Sequence, residues 1–198
     1  MKKISTHALL DALEQQTESH LFEAIHSFQN LNEKKLLQPA INGGWSIAQC
    51  LEHLNRYGNY YLPEIKKGLE KDGSYNDEFK STWLGNYFIK MMNADSGKKK
   101  IKAFKEYSPA PNLDAPAVVA EFIQQQETLL RYLRSARNKD LNKIKIAISI
   151  TRWIKLRLGD TLQFLIAHNE RHIRQAKRNL AQANVTSTQS RMAILACI

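Results

Sequence analysis

Apolar residues recur at helical spacing along most of the chain, and four stretches hold the pattern long enough to form bundle helices. In the first, from about Ser5 to Asn30, Leu9, Leu10, Leu13, Leu21, Ile25 and Phe28 mark the stripe. Pro39 to Gly44 breaks it with a proline, an asparagine and two glycines, so a loop is expected there. Ser46-Ile47-Ala48-Gln49 opens the second stretch as a capping box, the Ser hydroxyl accepting from an early backbone N–H while Gln49 reaches back. Ile47, Leu51, Leu54 and Ile65 continue the stripe, and Pro63 predicts a kink or restart.

Asp72 to Pro116 is the least regular region. Trp83 to Ile89 predicts a short helix packed by its aromatics, and Pro109 and Pro111 predict extended chain. The third stretch runs from about Pro116 to Arg137, with Pro116 in the first turn and Asp114 as cap. Leu141 to Ile150 alternates like extended chain, and Trp153 to Leu158 suits one helical turn. The fourth stretch runs from about Thr161 to Ala183, with Asp160 as N-cap and Gln163 at the third helical position. Beyond it come polar residues 184–190, expected to fray, and the apolar Ala193-Ile194-Leu195-Ala196-Cys197-Ile198. The pattern therefore predicts an all-α four-helix bundle with an irregular segment between helices two and three. It fills one domain over residues 1–183, and a flexible tail is expected over 184–198.

Composition narrows the chemistry. The 198 residues, 43% of them hydrophobic, suffice for one buried core. Two cysteines, Cys50 and Cys197, exclude a disulfide framework and a Cys-rich zinc site. The run Ala8-Leu9-Leu10 ends at Asp11, and no segment approaches a membrane span, so a cytoplasmic protein without a membrane partner is expected. The net charge of +10 favours an anionic partner. The basic residues are spread, however, and only Lys98-Lys99-Lys100 is dense, as a solvated basic surface would also be. No motif for groove or single-strand recognition appears, so no specific nucleic-acid partner is expected, and a small anionic molecule fits better.

The histidines carry the sharper signal. His168 and His172 stand four apart on the fourth helix, with Phe164, Leu165 and Ala176 on the same arc. Each residue turns a helix by about 100°, so the two imidazoles lie about 40° apart and can reach one ion. Such a pair alone equally suits two core histidines satisfied by neighbours. Asn169-Glu170-Arg171 separates them, so this is not a metalloprotease motif, and Glu170 points off the shared face. His53 lies on the apolar stripe of the second helix with Gln49, Cys50, Leu54, Tyr57 and Tyr60. Three inward imidazoles need partners, and one shared cation would serve all three. His7, His20 and His26 read as surface or rim residues, and Cys50 as a small hydrophobe.

Trp45-Ser46-Ile47-Ala48-Gln49-Cys50-Leu51-Glu52-His53-Leu54 resembles the motif with which the DinB/YfiT-like superfamily opens its second helix and presents a metal-binding histidine. The run from Leu158 to Gln175, with H-x-x-x-H followed by Gln, resembles that superfamily's last-helix motif, and Trp83 to Met92 is similar to its middle segment. The resemblance covers about residues 5 to 183. It implies a four-helix bundle, commonly a homodimer, with zinc, nickel or a similar divalent metal held by three histidines, which by motif position are His53, His168 and His172. Relatives include thiol transferases that use bacillithiol or mycothiol, a maleylpyruvate isomerase and proteins described as metal-dependent hydrolases.

Three neutral imidazoles leave the charge of such an ion uncompensated, enough to bring a bound water's pKa to about 7 or to hold a thiol as thiolate. Hydrolysis and transfer from a low-molecular-weight thiol therefore both remain open, and so does a non-catalytic bundle that acts in assembly or sensing. Gln49, Tyr57 and Tyr60 on the His53 face, and Gln175 beside His172, could orient the imidazoles or could be polar groups at the bundle rim.

Overall fold

The computed structural model describes residues 3–41, 43–71, 74–92, 104–110 and 112–195, with side chains up to 182. The Lys98-Lys99-Lys100 run, Pro111 and the side chains of the apolar C-terminal residues lie outside the described residues.

Four long helices form the bundle. Helix α1 spans Thr6–Glu23, begins at the Ser5 cap and continues as a π-helical turn over Ala24–Phe28. After the short α2, Glu33–Leu37, helix α3 runs Ile47–Leu69 with both halves of the Ser46/Gln49 capping box formed. The expected restart at Pro63 does not occur. Pro63 and Asn59 both face solvent, so water can take the Asn59 carbonyl that loses its partner, while buried Leu62 and Ile65 hold the helix in place. Helix α4 spans Trp83–Met92, and α5 spans Ala115–Ala136 with its N-terminus capped by Asp114. Helix α6 runs Leu158–Leu195, past the expected end at Ala183. Around the bundle the order is α1, α5, α3, α6, each packing against its two neighbours.

The core is divided. Leu10, Leu13, Tyr61, Ile65, Leu133, Leu162 and Leu165 belong to one apolar cluster. Phe28, Ile47, Leu51, Leu54, Phe122 and Ile173 belong to the other. Along α3 the changeover falls between Leu54 and Tyr57, just after His53, and along α6 at His168 to His172. Buried polar side chains at that level reach across between helices. Asn55 donates to the Val118 carbonyl, Gln125 to the Asn55 carbonyl, and Asn169 to Gln126.

Among the described residues, two small antiparallel ribbons stand beside the helices. Strand β1, Ile4–Ser5, pairs with β2, Glu78–Phe79, with Ile4 opposite Phe79. Strand β3, Lys145–Ile148, pairs with β4, Thr151–Arg157, setting Ile146 opposite Leu156 with an irregularity at Ala147/Ile148. The helical turn expected over Trp153 to Leu158 is thus a strand. Leu156 is its one buried residue, and Trp153 is 95% exposed.

Asp160 is not an N-cap either. Helix α6 begins earlier because the Ile144 and Leu141 carbonyls accept from the Leu158 and Gly159 N–H groups at its entry. Buried Asp160 instead accepts from the Thr82 backbone N–H and hydroxyl, and that hydroxyl accepts from Gly85 at the start of α4. Gly85 has no side chain because a Cβ there would overlap the Asp160 carboxylate. Nor do all the aromatics of α4 pack. Trp83 and Tyr87 face solvent, and Phe88 is the ring that meets Phe164.

Candidate metal centre

Two helices bring three histidines together at the level between the apolar clusters. His53 projects from α3, and His168 and His172 project from successive turns of α6. They are 3%, 3% and 8% exposed. Their ring centroids form a near-equilateral set, 4.7 Å for His53 to His172 and 4.9 Å for each of the other two pairs. One ligand atom from each ring lies within 4.8 Å of the others.

Backbone and side-chain acceptors orient two of the rings. His53 Nδ1 donates to the Tyr107 carbonyl at 2.6 Å, and His172 Nδ1 donates to Gln175 Oε1 at 3.1 Å. Each therefore turns its other ring nitrogen, Nε2, away from those partners as a lone-pair donor. His168 is held by ring contacts, stacked on Phe164 and met edge-on by Tyr57, and its buried Nδ1 has no partner among the described residues. Trp45 lies against His53 at 4.8 Å and His172 at 5.6 Å between ring centroids.

Electrostatics keeps the three rings neutral. Burial holds His172 down to about 3, helped by the neighbouring His53. Burial also lowers His168 well below the usual imidazole value, with the two other histidines adding to the effect. His53 is lowered by burial too, against the opposing hydrogen bond to the Tyr107 carbonyl. The neutral ring is the form that ligates a metal. His53 Nε2 and His168 Nε2 lie 3.1 Å apart, so two lone pairs would face each other unless a proton or a cation sat between them. Donor type, ring orientation and spacing fit one divalent ion.

The triad opens onto a cavity of about 980 Å³. The tip of the β3–β4 hairpin lines part of it and is tied to α3 and to the 3₁₀ turn Lys105–Tyr107 by tyrosines. Tyr60 donates to the Ile148 carbonyl, Tyr107 donates to the Ser149 carbonyl, and the Tyr61 hydroxyl accepts from the Ser149 N–H.

A family profile described as the DinB superfamily matches residues 10–176, which include all three histidines. The chain belongs to the DinB superfamily. Among solved structures, this DinB chain is similar to YfiT from Bacillus subtilis, described as "a probable metal-dependent hydrolase with an unusual four-helix bundle topology". The TM-score is 0.55 at 14% identity, over 88% of this chain and 87% of that one, a likeness of fold. No curated protein matches the DinB chain in sequence.

Of the four residues expected to orient the imidazoles, two are at the site. Tyr57 touches His53 and His168 edge-on, and burial pushes its hydroxyl up to about 12. Gln175 bonds His172. Gln49 does not take part, since its side chain closes the capping box on the Ser46 N–H. Tyr60 holds the hairpin instead. Cys50 is fully buried in the apolar cluster, as expected of a small hydrophobe, and burial pushes its thiol up to about 12. Glu170 points off the site, as its helical position implies.

His20 departs from the surface reading. It is 1% exposed and donates to Glu170, while His7 and His26 are exposed. Periodicity along α1 could place His20 on an inner face, but it could not show that Glu170 of another helix meets it. Tyr107 escaped the sequence reading for a different reason. It acts on His53 through its backbone carbonyl, from an irregular segment, and no side-chain pattern reports that.

Proposed function

We propose that the chain is a metal-dependent enzyme in which His53, His168 and His172 hold one divalent ion, zinc, nickel or similar, beside a substrate cavity. The observation that carries this reading is the set of three neutral, pre-oriented imidazoles lining a cavity large enough for a small organic molecule. A bound ion would supply a nucleophile at neutral pH by lowering the pKa of a water or a thiol. The Tyr107 carbonyl and Gln175 fix two ring orientations, and Trp45 and Tyr57 keep bulk water from the rings. Tyr57 stays protonated at neutral pH and lines the cavity, so it can donate a hydrogen bond to a substrate oxygen.

Hydrolysis is the first reaction class we assign, and transfer of a low-molecular-weight thiol to an electrophile is the second. The superfamily resemblance supports both. It also supports a homodimer, for which sedimentation of a 22.8 kDa species at micromolar concentration would be the contrary result.

Elemental analysis of purified protein should give one metal per chain, and His168→Ala should lose most of it. Full metal content in that variant would overturn the assigned site. Metal-loaded protein that turns over neither esters and amides nor any thiol–electrophile pair would favour a non-catalytic metal-binding bundle.

A further inference from the structure

The cavity is uneven in composition. One end is apolar, with Phe88, Met91, Leu156 and Phe164 among its walls. The other end is basic and polar and comes from one face of α6. At about 100° per residue, Phe164, His168, His172, Gln175, Arg178 and Gln182 all fall within an arc of about 120°. The chain along that arc runs from apolar, through the histidines, to polar.

The charge of the cavity is one-sided. Arg171, Arg174 and Arg178 line it, and no aspartate or glutamate does among the described residues. Arg174 is committed to Glu170 on the outer side of the helix. Arg171 is half-buried and donates one N–H to the Met91 carbonyl, a neutral acceptor, so its charge is uncompensated there. Arg178 is exposed and takes neither a hydrogen bond nor an ion pair among the described residues. It also borders a smaller cavity of about 300 Å³ with Glu23 and Glu170. Those carboxylates are already engaged, Glu23 by Lys177 and Glu170 by His20 and Arg174. Neutral imidazoles add nothing negative, so the field in the main cavity is positive and meets no acid.

We propose that this cavity takes an anionic amphiphile, its carboxylate, phosphate or sulfonate held by Arg178 with help from Arg171 and its apolar body seated at the Phe88–Phe164 end. The reacting bond then lies between the two, beside the histidines. That last placement rests on the proposed metal chemistry, whereas recognition of the anion does not. Arg178 stands six residues beyond His172, about 9 Å along the axis, and helical side chains lean toward the N-terminus. Its guanidinium can therefore lean back over the cavity. A guanidinium offers five donors in a planar fork matched to two anion oxygens.

The test uses 8-phenyloctanoate and 8-phenyloctanamide, equal in length and different in charge, titrated calorimetrically into metal-free and zinc-loaded protein. The carboxylate is expected to bind the metal-free protein at least tenfold more tightly than the amide. The preference should fall below threefold in an Arg171→Gln/Arg178→Gln variant that keeps its wild-type melting midpoint and metal content. Acetate should bind far more weakly than 8-phenyloctanoate. Equal affinity for the two probes in metal-free protein would overturn the proposal, as would a preference that survives in the double variant. A preference seen only with zinc would assign the anion to the metal and not to the arginines. Acetate binding as tightly as the long probe would remove the apolar half. Protein that binds no zinc would defeat the proposed function and still leave the anion preference measurable.

Discussion

Two of the three imidazoles are readied as ligands by what their other ring nitrogen touches. A carbonyl on His53 and an amide on His172 fix which ring nitrogen keeps its proton. Burial then removes the charged form as a competitor. Cys50, only three residues before His53, shows the opposite outcome for a residue type that could also bind metal. It faces the apolar cluster, and its thiol is held up at about 12, so it carries no thiolate at neutral pH. Against a Cys197→Ser background, a thiol reagent should leave native Cys50 unlabelled at neutral pH. Cys50→Ala should bind metal as the wild type does and lose about 1–2 kcal/mol of stability through the small cavity created. Rapid labelling of folded protein, or loss of metal in that variant, would contradict this account.

At the scale of elements, the packing of α3 against Gln125 of α5 depends on Gly58. A Cβ there would overlap Gln125 Oε1. Gln125 cannot move cheaply, because its Nε2 donates to the Asn55 carbonyl, Asn59 Oδ1 and Glu121 Oε1 at 3.0–3.2 Å. Alanine is the better helix former by about 1 kcal/mol. Overpacking typically costs about 1–3 kcal/mol, and stranding a buried amide adds about as much again. The clash should win. Gly58→Ala is expected to lower the melting midpoint by several degrees, at roughly 2–4 °C per kcal/mol for a chain of this size. A midpoint equal to or above the wild type would show that the two helices separate without penalty. Other elements were less legible in sequence. Trp153 to Leu158 lacks the length to separate a helical turn from a strand, and its partner Lys145–Ile148 decided the matter. Asp160 sits where an N-cap would, yet its carboxylate serves α4 through Thr82, because backbone carbonyls already supply the start of α6.

The whole molecule carries the cost of its polar level as a dependence on pH. Free in the unfolded chain, histidine titrates near 6.5. In the fold His53, His168 and His172 are all depressed, His172 to about 3. Above about 6.5 neither state binds these protons, and stability is complete. As pH falls below that value the unfolded chain takes up protons that the fold refuses, so stability declines until about pH 3 for His172. Glu170, held down to about 2 chiefly by its hydrogen bond with His20, adds a loss that begins below its ordinary value of 4.5. Metal-free protein should therefore melt at progressively lower temperature between pH 7 and pH 5, a window above the carboxylate range. His172→Gln should show a shallower decline. Parallel curves for the two proteins would mean that His172 titrates alike in both states.

Sequence alone determined the four helical stretches, the Ser46/Gln49 and Asp114 caps, and the placement of His53, His168 and His172 on inward faces. Those features rest on interactions within a few residues, namely helical periodicity, side-chain capping and the roughly 100° turn per residue. The motifs around the histidines also carried the family. Tertiary structure alone decided how the helices stand against one another, since periodicity along one helix says nothing of its height beside the next. That relative height sets His53 level with residues more than a hundred positions away. It joins His20 to Glu170, takes Gln49 and Tyr60 away from the three-histidine cluster, and supplies the Tyr107 carbonyl. It also leaves Arg171 and Arg178 lining a cavity with no acid among the described residues, a property of the enclosed space that no single segment encodes.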